Sequence, residues 1–429
     1  MLHNQVTNSH QDESVFEAES SVEAEPSFEP TTDARNFAHA AHRNLKVRFE
    51  GGEHTFIGDR ITLQFEAGPQ AAARHPIYRG GSYQGQGNQS DPRYRARSFR
   101  YGQVIALGGD FYGDPLRPIS TDNDPQAAFR AAYLTFQREV DGEIDQILKI
   151  MQREIDAIAA AIRAGKPPSS AYEALGDELS YAWNQATGGG YGIFPQGRYL
   201  KLAAVNWDHF GFFARKAYVA GHTVAMQQAI AARNPSLTTD QRRLQLELAY
   251  SKNAFADHFL TDIFSAGHTR TPRRELYETS IWAKEITGLL ARCMHDEDSK
   301  FGLKVHNAVG QSWTAYGDKR LLDTAGKEEL TITVQAVQAS ADEIWTAFKT
   351  GKVSSESEMR ALKIMPDLMR VRDLTSRENF SPLFVWKDGT VQCRTSLSDR
   401  NCFEWTPYWS APSTLAELKA LGWLGYTDT

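Results

Sequence analysis

Residues 253–270, NAFADHFLTDIFSAGHTR, set out His258, Asp262 and His268 in close succession. His258 and Asp262 stand at i, i+4 in a helical pattern, so both side chains share one face and can reach the same ion. His268 follows Gly267, where the chain is free to turn back. A solvated helix with a polar stripe explains that pair equally well when it is taken alone. Three further stretches favour a metal site. NWDHFGFFARKAYVAGH carries Asp208 and His222, LGGDFYG carries Asp110, and CMHDEDSK carries His295 with Glu297 and Asp298 just behind it. Several imidazoles and carboxylates together make the ligand set that suits zinc with hard oxygen partners. One distance stands against part of this set. A continuous helix over 208–222 would separate Asp208 from His222 by ~21 Å, so sharing an ion requires a reversal near Gly211 or Gly221.

The elements that must position these residues are mostly helical. From Asp124-Pro125 an apolar face runs through Phe129, Tyr133, Phe136, Val140, Ile144, Ile147, Met151, Ile155, Ile158 and Ile162, the period of an amphipathic helix. Further helices are predicted over about 171–186, 212–233, 240–263, 274–295 and 329–350. The stretch Leu45–Gln64 reads as short and β-like. PLFVWKDGTVQCR alternates around Asp388-Gly389, a hairpin turn signal, and STLAELKALGW reads as a helix capped by Thr414 and Glu417. The expected organisation is an acidic tail over 1–40, a β-rich or irregular segment over 41–94, a helical body over 95–370, and a small hairpin-and-helix region over 371–429. The fold class is mainly α, a multi-helix bundle flanked by small β-containing regions.

Composition narrows the function. The chain of 429 residues has an apolar fraction of 41%, sufficient for a sizeable core. It contains no apolar run long enough to span a bilayer and opens without the basic and apolar blocks of a Sec signal peptide. Residues 1–34 hold eight Asp and Glu and no Lys or Arg, without which the formal charge of −6 becomes +2. Such a start is expected to be disordered, and a near-neutral body gives no reason to expect nucleic-acid binding. Cys293, Cys393 and Cys402 form no disulfide framework; Cys393 and Cys402 are read either as a bridge or as free thiols.

His258-x3-Asp262-x5-His268, preceded by Asp208 and His222, resembles the core of zinc-dependent phospholipases C and the related single-strand nucleases. YGQVIALGGDFYG, NWDHFG, AGH, NAFADHFLTDIFSAGHTR and MHDED, in that order over about residues 95–320, look like the phosphatidylcholine-hydrolysing phospholipases C of bacteria. The resemblance implies two or three zinc ions. Asp208, His222, His258 and Asp262 would surround one, with Asp262 bridging to a second held by His268, His295 and an acid. The family places that acid four residues after its histidine, where this chain has Ser299, so Asp298 is preferred and Glu297 is the fallback; Asp296 is left outside the set. Smaller members bind a third zinc through an N-terminal Trp, and Asp110 is the replacement here. Asp208 would also orient or deprotonate water. Arg270 would hold phosphate charge, and Phe111, Tyr112 and Trp207 are candidates for contact with a quaternary ammonium. The implied reaction cleaves a glycerophospholipid at a membrane surface into diacylglycerol and a phosphorylated headgroup. A zinc nuclease and a non-catalytic, zinc-stabilised membrane- or partner-binding module are the alternatives. A specialised secretion route fits a bacterial source, a cytoplasmic location fits otherwise, and oligomeric state is left open.

Overall fold

The computed structural model describes residues 51–81, 90–139, 141–175, 178–190, 196–279 and 284–422; the acidic tail lies outside them. The chain is mainly α, with small antiparallel β elements. Among the described residues no helix is long and apolar enough to cross a membrane.

Helix α1 (Gly51–Gly58) occupies part of the stretch expected to be β-like. It is buried on several sides, so its sequence lacks the one-sided period that marks a surface helix. Its first turn is satisfied from outside, since Gly52 N donates to Glu154 Oε1 at 2.9 Å. Across it lies α2 (Tyr101–Leu107). The two backbones meet where Gly58 faces Gly102, and a Cβ on Gly102 would sit 2.2 Å from the Thr55 carbonyl oxygen.

The apolar face expected to run unbroken to Ile162 belongs to two helices, α3 (Pro125–Arg138) and α4 (Asp141–Arg163). Between them Glu139 takes an extended backbone, φ −61° and ψ 147°. Two long helices then form the centre. Helix α5 (Gly211–Ala231) runs straight through Gly221, and α6 (Thr239–Asp262) follows behind the cap of Thr238, which accepts from Gln241 N. From Ala254 onward every residue of α6 is buried, so the polar side chains there must find partners inside the protein. The short helix α7 (Ala266–Arg270) turns away from its end. The helix expected over 274–295 is two pieces, Arg273–Glu278 and α8 (Lys284–Phe301). A hairpin, β1 (Leu303–His306) and β2 (Ser312–Ala315), interrupts the helical body before α9 (Lys327–Thr350) packs against α5 and α6.

The C-terminal region is a three-stranded sheet, β3 (Phe384–Lys387), β4 (Thr390–Arg394) and β5 (Trp405–Thr406), with α10 (Ala411–Ala420). Asp388 and Gly389 have φ of 52° and 75°, the two positive values that a type I′ hairpin turn requires. The cap of α10 differs from the expected one. Ser410 accepts from Ser413 N, and Pro412 in the first turn fixes the start, which leaves Thr414 buried inside the helix. This region shares a core with α8 through Leu290, Met294, Phe384, Leu415 and Leu418. Cys293 and Cys393 are buried there as free thiols, and Cys402 is also free.

The α1–α2 crossing tolerates no side chain at Gly102. Gly102→Ala is expected to cost about 1–3 kcal/mol through overpacking, read as a lower urea midpoint; an unchanged midpoint would mean that the two helices separate freely.

Candidate metal centre

Helix α6 ends with His258 and Asp262 facing inward, 0% and 4% exposed. The spacing does what i, i+4 implies, with His258 Nε2 3.5 Å from Asp262 Oδ2. Helix α1 supplies His54, whose Nε2 is 3.5 Å from Asp262 Oδ1. A single 3-10 turn, Asn206–His209, supplies His209, with Nδ1 2.8 Å from Asp262 Oδ2. Past α2 the chain turns at Gly108-Gly109 and presents Asp110, Oδ1 lying 3.7 Å from His258 Nε2 and 3.8 Å from His209 Nδ1. That turn depends on glycine twice. Gly109 has φ +67°, and a Cβ there would lie 2.4 Å from the His258 ring and 2.9 Å from His209.

On the other side of Asp262, His268 of α7 and His295 of α8 lie 4.9 Å apart between ring centroids, tilted by 59°. Gly267 makes room, since its Cβ would lie 2.4 Å from His295 Cδ2. Asp318, in the loop after β2, completes this end with Oδ2 3.0 Å from His295 Nε2 and 3.6 Å from His268 Nε2. Three groups result, His54–His258–Asp262, Asp110–His209–His258 and His268–His295–Asp318, and the donor atoms within each group lie within 4.8 Å of one another. Such buried clusters can hold metal ions.

Four of the rings are held from behind. Nδ1 of His54 pairs with Thr261 Oγ1 at 2.9 Å, and Nδ1 of His258 with the Ile105 carbonyl at 3.0 Å. Nδ1 of His268 meets the His209 carbonyl at 2.9 Å, and that of His295 meets Asp296 Oδ1 at 2.9 Å. Each arrangement leaves Nε2 directed at the cluster, as outer partners do for metal-ligating histidines. Asp296, left outside the expected set, is therefore the support of His295.

Electrostatics favour ligating protonation states on one side of the cluster. Burial would push the Asp262 carboxyl up, but His258, His209 and His268 together hold it well below the usual range. Burial lowers His54 and His258, against the pull of Asp262. At the other end burial opposes the charge on His295, yet Asp318 and Asp296 outweigh it and lift the imidazole to about 10. That position demands a positive charge.

Of the expected residues, Asp110, His258, Asp262, His268 and His295 come together. The others are placed elsewhere. Asp208 accepts from Ile119 N at 2.5 Å, Ser120 N at 2.9 Å and the Ser120 hydroxyl, which ties the loop after Asp110 to the turn that carries His209. Its carboxylate is engaged there, and it belongs to none of the three groups. His222 fails for the reason its spacing raised. Helix α5 does not reverse at Gly221 and carries His222 ~16 Å along its axis from Gly211. The ring lies between Asn253, 2.6 Å from Nδ1, and Glu343, 2.7 Å from Nε2. Asp298 forms a two-pronged pair with Arg270, at 2.9 and 2.7 Å, and Arg270 also donates to the Phe380 carbonyl. Both are thereby removed from the roles expected of them. Glu297 accepts from Arg394 at 3.0 Å and joins α8 to β4.

The aromatic residues do not form a cage around the cluster. Phe111 is buried against Trp183 and Tyr199, Tyr112 donates to Glu143, and Trp207 packs on Tyr277. A cleft runs beside His209, bordered by Gly109, Gly113, Arg117, Asn206, Asp208 and Phe259.

Sequence reasoning missed His54, His209 and Asp318. His209 was within reach, one position after Asp208 in NWDHFG, but only the direction of the 3-10 turn decides which of the two faces inward. His54 stood in a stretch with no helical period, and Asp318 in a Gly-Asp turn like many others. Comparison with family models, with curated proteins and with solved structures returned no match.

His209 and His222 can be told apart directly. His209→Gln is expected to lower bound metal, whereas His222→Gln should leave metal content unchanged and cost about 1–3 kcal/mol of stability from its buried hydrogen bonds. Burial alone would lower the His222 pKa, but Glu343, Asn253 and Asp257 raise it above its ordinary value. A group raised on folding stabilises fully below its unfolded value near 6.5, and the contribution is lost as pH rises through the folded value. The gap in thermal midpoint between wild type and His222→Gln should therefore narrow with rising pH. A gap that widens would contradict this assignment.

Proposed function

We propose that the cluster is a multinuclear zinc centre and that the protein is a phospholipase C-type phosphodiesterase acting on glycerophospholipids, with phosphatidylcholine the first substrate to test. The observation that carries this reading is the set of three His/Asp groups joined through His258 and Asp262, with His209 on the wall of a cleft. The donors are imidazoles and carboxylates with no thiolate, which fits zinc in a hydrolytic site better than in a structural one. His54, His258 and Asp262 would hold one ion, with Asp110 and His209 beside it, and His268, His295 and Asp318 would hold another. Zinc bound there would supply Lewis acidity that neutralises phosphoryl oxygens and brings water into nucleophilic range near neutral pH.

The chain contributes position and proton handling. Asp110, with Oδ1 beside His209 and His258, is the carboxylate of that group that can accept a proton from an attacking water. The supports behind His54, His258, His268 and His295 keep the rings from reorienting during a reaction, so little rearrangement is required as charge develops. Asp208 acts indirectly by anchoring the wall of the cleft next to His209.

Purified full-length protein, assayed with phosphatidylcholine, other phospholipids and single-stranded DNA, should release diacylglycerol and a phosphorylated headgroup from lipid. Removing metal with a chelator should abolish turnover, and zinc should restore it. Asp262→Asn should lower activity by orders of magnitude with loss of bound zinc. Full activity in metal-free protein would refute the reading, and cleavage of DNA alone would assign the site to a nuclease.

A further inference from the structure

The turn that carries Asp318 is built differently from the rest of the cluster. The other members stand on helices or on a 3-10 turn, apart from Asp110, which follows the Gly108-Gly109 turn. Asp318 sits in a loop between two residues of positive φ, Gly317 at +78° and Lys319 at +72°. A side chain with a Cβ is strained in that region. The loop also presses on the corner between α6 and α7, because a Cβ on Gly317 would lie 2.2 Å from the Ser265 hydroxyl oxygen and 2.6 Å from its Cα.

Two buried glutamates from distant parts of the chain clasp this loop. Glu329, in the first turn of α9 and 1% exposed, accepts from Tyr316 N at 2.8 Å and Gly317 N at 3.3 Å. Glu53, in α1 and 4% exposed, accepts from Lys319 N at 3.0 Å and Leu321 N at 3.1 Å. The four amides flank Asp318 on both sides. Each buried carboxyl group accepts from two loop amides, which fixes the backbone on both sides of Asp318. Glu53 also precedes His54, so one short helix meets both the Asp318 loop and the Asp262 end of the cluster.

From this geometry we infer that Glu53 and Glu329 are positioning residues that hold the Asp318 loop in register, and that the His268–His295–Asp318 group binds its metal ion only while both clasps are made. The inference rests on the reading of the cluster as a metal centre and assigns one ion to control by residues that act through the loop backbone. A clasp serving only the fold would lower stability and affect every bound ion alike.

Zinc content and zinc retention against a graded chelator distinguish these cases, measured on the full chain for wild type, Asp318→Asn, Glu53→Gln, Glu329→Gln and Asp318→Asn/Glu329→Gln. Circular dichroism and urea unfolding on the same samples report folding. Asp318→Asn should lose one zinc. Each glutamate variant should hold that same ion at least tenfold more weakly while retaining the others, and the double variant should lose no more than Asp318→Asn alone, because residues acting through one ligand are not additive. Should one glutamate variant fail to fold, the other carries the test from the opposite side of the loop. Undiminished zinc in a folded glutamate variant, with one ion lost from Asp318→Asn, would overturn the inference and leave the metal-centre reading standing. Loss of all ions in step with unfolding would overturn it in favour of a structural clasp. Full zinc in Asp318→Asn would remove the metal-centre reading and the inference with it.

Discussion

A carboxylate buried among imidazoles organises this molecule. Asp262 is almost wholly enclosed, and His54, His209, His258 and His268 face it from four directions. An ionised carboxylate at that depth persists only if opposite charge or strong hydrogen bonding replaces the water it has lost. Meeting that demand requires α1, the 3-10 turn before α5, the end of α6 and the start of α7 to converge on one point. The cluster is therefore a condition of the packing as well as a product of it.

Close packing and polar ties satisfy the condition together. Glycines at 102, 109 and 267 let backbones and rings approach to distances that a Cβ would forbid. Arg270 joins α7 to α8 through Asp298, and Arg394 joins α8 to the C-terminal sheet through Glu297. Both guanidinium–carboxylate pairs are buried, and each sits on the helix that carries His295. The C-terminal region is in this way fastened to an element of the site, and it shares an apolar core with the same helix. Beside the cluster runs a second polar network of His222, Asn253, Ser340, Asp257 and Tyr101. Its groups are bonded to one another across α2, α5, α6 and α9. It fixes the register of those helices and leaves the histidines of the cluster to face the other way.

What the sequence determined by itself was whatever depends on neighbours along one element. The mainly helical architecture was legible because apolar residues recur at helical spacing, and the hairpin at Asp388-Gly389 because few dipeptides accept two positive φ values in succession. His258 with Asp262 was legible for the same local reason, since four residues bring two side chains to one face wherever the helix lies. Other decisions belonged to tertiary structure. Whether Asp208 or His209 faces inward depends on how one turn docks, and Asp318 replaces the expected Asp298 because Arg270 claims the latter from another helix. His222 was set apart by the straightness of α5, and His54 was hidden in a helix whose all-round burial erased its period. A cluster assembled from seven separate segments has no signature in linear spacing. Only the convergence of those segments on a buried charge decides its members.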